Sequence, residues 1–127
     1  MSTTAYYNNL VNHIPPGLYQ DVFRMLASTT KSSRITRQGL VNALHADDRQ
    51  LRDVIADLVT NYRIPILSES GKPGYWLADS DDEKQESIAE LRSRAKQLNE
   101  RALALEKAQV PAAKELRQAV EIQAALF

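Results

Sequence analysis

Along the chain, apolar residues recur at helical spacing, then in two short extended runs, then at helical spacing again over a longer stretch. Residues 1–14 are polar with scattered apolar positions, and Pro15-Pro16-Gly17 interrupts whatever precedes it. From Leu18 the set Leu18, Val22 and Leu26, with Phe23 and Met25 beside it, predicts a helix. The polar run Ser28 to Ser33 ends it. Thr36 is suited to cap a short second helix with Leu40, Val41 and Leu44 on its apolar face. Asp47 is suited to cap a third, which carries Leu51, Val54, Ile55, Leu58 and Val59 inward. Asn61-Tyr62-Arg63 closes that helix, and Pro65 prevents its continuation.

Ile64 to Leu67 then reads as a strand, Ser68 to Gly74 as a turn or loop, and Tyr75 to Leu77 as the returning strand. After Asp79-Ser80-Asp81-Asp82 the texture changes. Ile88, Leu91, Ala95, Leu98, Ala102 and Leu105 follow one another at steps of 3, 4, 3, 4 and 3, the seam of a coiled coil over three heptads. Two of the six are alanine, so the seam is narrow. Pro111 breaks this helix or opens the next, and Ala112 to Phe127 forms a last amphipathic segment. The expected fold is mainly α with a small β-hairpin: a winged helix-turn-helix followed by a long C-terminal helix able to form a coiled coil. The expected divisions are an N-terminal arm over 1–17, the winged unit over 18–79 and a helical oligomerisation or interaction tail over 80–127.

Composition narrows the chemistry by exclusion. The chain has 127 residues, enough for one domain with a modest core and an appendage. It has no cysteine, which removes disulfides and thiolate metal sites. The N-terminal "MSTTAYYNNLVNHIPPG" lacks the basic and apolar regions of a signal peptide, and no run approaches the length of a membrane span. A cytoplasmic protein without membrane contact is expected. His13 and His45 have no ligand partners at metal spacing, and Gly71-Lys72-Pro73-Gly74 has the wrong spacing for a phosphate loop. No nucleophile, base and orienting group are suggested together. The expectation is therefore no enzyme, no metal and no cofactor.

Charge adds a weak asymmetry. Net charge is zero, yet residues 1–77 hold 8 Lys/Arg against 6 Asp/Glu, and residues 78–127 hold 8 against 10. The first half thus permits a weakly basic face. Counted from Arg37, residues Val41, Leu44, Leu51 and Val54 occupy the inward positions of a helix-turn-helix. His45 stands at the junction, where glycine often supplies a left-handed conformation.

The stretch "ITRQGLVNALHADDRQLRDVIADLVTNYRIPILSESGKPGYWLA" resembles the N-terminal winged helix-turn-helix of bacterial biotin-operon repressors and related prokaryotic or phage regulators. The matching parts are Ile35-Thr36, the Leu51-Arg52, Ile55 and Leu58 positions of a recognition helix, the Ile64-Pro65-Ile66 strand, and Gly74, Tyr75 and Leu77. The similarity covers roughly residues 18–78. The ligase domain of those repressors does not follow, so no ligase activity carries over. What the resemblance implies is sequence-dependent binding of double-stranded DNA by a small transcriptional regulator.

On that reading Asp48, Arg49, Gln50, Arg52 and Asp53 form the exposed start of the recognition helix, with Arg49 suited to guanine and Gln50 to adenine. Arg52 reads a base or holds a phosphate. Thr36 and Arg37 favour a phosphate at the second helix's N-terminus, and Lys72 reaches one from the wing tip. Ile88, Leu91, Ala95, Leu98, Ala102 and Leu105 are the oligomerisation residues of a homodimer. The alternative is a winged-helix adaptor that docks a protein partner, in a replication or defence complex, with little DNA affinity. Its support is a nearly neutral third helix, on which Arg49–Asp53 suits a solvated face. Trp76 beside Tyr75 raises the possibility of base stacking, against packing on the helical core. Arg92, Arg94 and Lys96 suit phosphates or a solvated coiled-coil face.

Overall fold

Apolar positions at helical spacing mark the helices that build the core. The computed structural model describes residues 9–126. A helical turn over 9–13 (α1) precedes α2 (Leu18–Leu26), α3 (Arg37–Leu44), α4 (Asp48–Thr60), strands β1 (Ile66–Glu69) and β2 (Lys72–Leu77), and helices α5 (Asp81–Lys107) and α6 (Ala113–Leu126). The chain is mainly helical, with one two-stranded antiparallel hairpin. It divides into two units, Met1–Leu91 and Arg92–Phe127.

The first unit holds the core. Thr36 is extended, and its hydroxyl accepts the Gly39 N–H at 2.9 Å, so α3 starts on the cap that the sequence suggests. His45 ends α3 in the left-handed region at φ 53°, which lets α4 begin three residues later. Asp47 stands at the N-cap position of α4, but its side chain makes no capping hydrogen bond. Asp48 places the acidic charge in that first turn instead.

Val22, Phe23 and Leu26 of α2, Leu40 of α3, and Leu51, Val54, Ile55 and Leu58 of α4 close on one another, with Ile64 and Ile66 completing the cluster. One expectation changes here. Val59 is 41% exposed, because it lies 100° around the helix from Leu58, beyond the edge of the buried stripe. Within α3 the expected face holds: Leu40 is fully buried, and Val41 and Leu44 pack against the core, partly buried. The segment read as an arm is also packed where it is described: Val11 and Ile14 are in the core, and the Gln20 amide donates to both of their carbonyls at 3.2 and 3.0 Å. Residues 1–8 of that segment lie outside the described residues.

The hairpin differs from the expected one in its bounds. β1 begins at Ile66, two residues late, and β2 begins at Lys72, so the turn is only Ser70-Gly71. Ile66 pairs with Leu77 and Leu67 with Trp76, but Glu69 pairs with Lys72, so β2 carries two extra residues in a bulge at Pro73-Gly74. Proline and glycine therefore kink the strand instead of ending it. Gly74 has φ 115°, and a Cβ there would lie 2.8 Å from the Arg34 Cβ. A two-way bridge, Ile35 N–H to Tyr75 O at 3.0 Å and Tyr75 N–H to Ile35 O at 2.8 Å, ties β2 to the lead-in of α3.

The start of α5 belongs to this unit. Glu83 accepts the Trp76 indole N–H, Glu90 accepts both the backbone N–H and the hydroxyl of Ser70 at 3.0 and 2.9 Å, and Glu86 lies 4.0 Å from the Lys31 ammonium. In the second unit, residues 92–126 are all exposed. Pro111 stands between α5 and α6, two residues before α6, and Phe127 is outside the described residues. Among the described residues no helix is long and apolar enough to cross a membrane.

Candidate nucleic-acid interface

The start of α4 presents a face set by helical geometry. Leu51, Val54, Ile55 and Leu58 point inward, which turns Arg49, Arg52, Asp53 and Ala56 outward on the opposite side. Gln50 is exposed beside them.

Asp48 organises the cations around it. Its Oδ1 accepts the Arg37 Nε–H at 2.5 Å, and its Oδ2 accepts from Arg52 Nη2 at 3.0 Å. Partial desolvation opposes its ionisation, but the two guanidinium hydrogen bonds prevail and hold the carboxyl below the usual aspartate value. The same contact, reinforced by the Tyr75 hydroxyl, raises Arg37 further above its already high value. Two of the cations selected from the sequence thus share one carboxylate. Arg49 has no ion pair among the described residues: the Arg49–Asp53 pairing suggested by spacing does not form, and Arg52–Asp48 forms in its place.

Thr36 and Arg37 at the head of α3 and Lys72 at the hairpin turn line one groove, together with Gln38, Pro73 and Tyr75. Thr36, Arg37, Asp48, Arg52 and Lys72 are therefore brought onto a connected surface. Arg49 and Gln50 extend that surface along α4. Residue spacing reveals the members of this set, but the shared carboxylate is a tertiary contact between residues 11 positions apart.

Sequence reading passed over Arg34. Its side chain is 7% exposed, the Nη2 donates to Glu69 at 2.6 Å, and the Nε donates to the Lys31 carbonyl at 2.7 Å. The guanidinium lies 4.3 Å from the Trp76 ring centroid. Arg34 Nη1 is buried without a hydrogen-bond partner, and the ring face of Trp76 is the group that meets this cation. Glu69 is held below the ordinary glutamate value by this arginine. The signal in the sequence was Gly74, which leaves room for Arg34 where any Cβ would collide. Trp76 is 3% exposed, so its ring is packed and is not a platform for bases.

Two further contacts fix the C-terminal half of α4 at Asp57. Tyr19 donates its hydroxyl to Asp57 Oδ2 at 2.6 Å, and Asn61 donates to the other oxygen of the same carboxylate. Those bonds depress the Asp57 pKa, and the same hydrogen bond raises that of Tyr19. Of the two histidines, His45 serves the α3 junction, and His13 lies within hydrogen-bond distance of the Asn9 carbonyl at 2.7 Å. Among the described residues no cluster of His, Asp and Glu has the arrangement of a metal site.

Compared with family models, curated proteins and solved structures, the chain matches none.

Proposed function

We propose that the chain is a winged helix-turn-helix protein that binds double-stranded DNA in a sequence-dependent way, as a small bacterial or phage regulator acting as a homodimer in the cytoplasm. The reading rests on one observation. α3 and α4 are joined through a left-handed residue at His45, and the exposed start of α4 carries Arg49, Gln50 and Arg52 beside a hairpin that carries Lys72. Arg49 and Gln50 read base edges in the major groove, while Arg37, Arg52 and Lys72 meet phosphates. No cofactor is needed.

A second reading has its own support. Asp48 neutralises part of the charge of Arg37 and Arg52, which favours docking of a protein partner over a polyanion. In that case the chain is an adaptor, and the tail is its binding element.

Fluorescence anisotropy against duplex from the gene's own neighbourhood and against random duplex separates the two. Binding that prefers the neighbourhood sequence, weakens with salt and collapses in Arg49→Ala/Arg52→Ala supports the regulator. No binding at low salt discards it in favour of the adaptor.

A further inference from the structure

We infer that α5 pairs with α5 of a second copy, parallel and in register, with Arg101 of each chain meeting Glu106 of its mate. This deepens the dimeric part of the reading above and is independent of DNA. The face of α5 that meets the hairpin and the loop at Lys31 is settled by Glu83, Glu86 and Glu90. In the heptad that starts at Ile88, Glu83 and Glu90 take position c and Glu86 position f. At 100° per residue those positions lie on the opposite side of the helix from a and d. The hairpin and Lys31 therefore hold the back of α5 and leave the seam from Leu91 onward uncovered.

Ile88 is half-buried, and from Leu91 onward the seam is exposed: Leu91 is 52%, Leu98 60% and Leu105 68% exposed. Apart from Leu103 at position b, every large apolar residue of α5 lies at a or d, and a stripe of that width meets another helix, narrower than the face a helix buries on a globular partner. A strict 3.5-residue repeat also stays in contact only with a helix that supercoils around it. The neighbouring α6 is not that helix. Its Leu116, Val120, Ile122 and Leu126 follow at steps of 4, 2 and 4, and all four are exposed.

Charge selects the second copy and its direction. Position g holds Ser87, Arg94 and Arg101, and position e holds Arg92, Asn99 and Glu106. In a parallel pair each g faces the e of the next heptad across the seam, which gives Arg101–Glu106 twice by symmetry and no like-charge pair. In the antiparallel pair that keeps all six layers, Arg94 faces Arg101 of the mate, twice. The layers agree with the charges: Ile88 at a, with leucine at every d, is the arrangement of parallel dimers, and Ala95 and Ala102 meet their own counterparts.

The chain has no native cysteine, so single cysteines report the geometry directly. Full-length Ala102→Cys and Leu91→Cys are equilibrated, alone and mixed, in a glutathione redox buffer, with oligomeric state followed by sedimentation of the unmodified chain. The expected result is a dimer in which Ala102→Cys links to itself and the mixture yields self-linked species. A monomer at tens of micromolar, or preferential linkage between the two variants, overturns the proposal. Arg101→Glu or Glu106→Lys alone is expected to weaken the dimer about threefold to tenfold, and the double exchange to restore it. Failure of the double variant to recover also overturns it. A monomer that still binds its operator refutes the pairing alone, and a parallel dimer without DNA affinity refutes the DNA reading alone.

Discussion

Replacing Asp48 by asparagine isolates the electrostatics of the candidate interface. Asp48 accepts from Arg37 at 2.5 Å and from Arg52 at 3.0 Å, so its carboxylate cancels one unit of positive charge on the surface offered to DNA. Asparagine keeps the shape of the side chain and one carbonyl acceptor while removing the charge. If that surface meets the phosphate backbone, the substitution adds about one effective contact, and the slope of log K against log salt steepens by about 0.9. Over a rise from about 50 to about 200 mM salt, one further contact corresponds to about 3.5-fold additional loss of affinity. At about 0.1 M salt the same contact strengthens binding to random duplex by roughly eightfold, taking counterion release as its whole contribution. The assay is anisotropy with random-sequence duplex at several salt concentrations, with folding checked by emission from Trp76, the single tryptophan. An unchanged slope, or weaker binding by a folded Asp48→Asn variant, refutes the placement of phosphates at this face.

Three further outcomes follow from the packing. Gly74→Ala forces a Cβ to 2.8 Å from that of Arg34 at φ 115°, and a loss of about 2–3 kcal/mol is expected in urea unfolding. His45→Gly relieves the left-handed conformation at φ 53° and is expected to stabilise the first unit by about 0.5–1 kcal/mol in the same measurement. Acid weakens the fold through carboxylates whose folded values are depressed: Asp57 by Tyr19, Glu69 by Arg34, Asp81 by Lys84, and Asp48 by its two arginines against partial desolvation. Their contribution is complete above the unfolded carboxylate values near pH 4 and is lost as pH falls through the lower folded ones. The melting temperature is therefore expected to fall steeply below about pH 4, and Glu69→Gln is expected to flatten that dependence. A melting temperature that stays level through the acid range contradicts these assignments.

Local rules carried much of the fold. Thr36 caps α3 because a hydroxyl two or three residues before free N–H groups is a local arrangement, visible in four consecutive letters. The inward stripe of α4 and the seam of α5 follow from helical periodicity, and the break at Pro111 from a missing N–H. The junction at His45 was legible for the same reason, as one residue that had to leave the right-handed region.

What needed the tertiary structure was everything set by partners distant in sequence. Pro73 and Gly74 look like the end of a strand, yet the bulge that absorbs them depends on pairing with β1 and on the bulk of Arg34 nearby. Arg34 looked like any loop arginine until Glu69, Lys31 and Trp76 closed around it. Val11 and Ile14 joined the core because Gln20 holds their carbonyls, a contact with no periodic trace. The cations of the candidate interface are visible in the sequence as residue types, but the carboxylate of Asp48 on α4 pairs with Arg37 of α3 as well as with Arg52 of its own helix. Side-chain pairing across elements depends on where backbones meet, and that geometry is written in no single stretch of the chain.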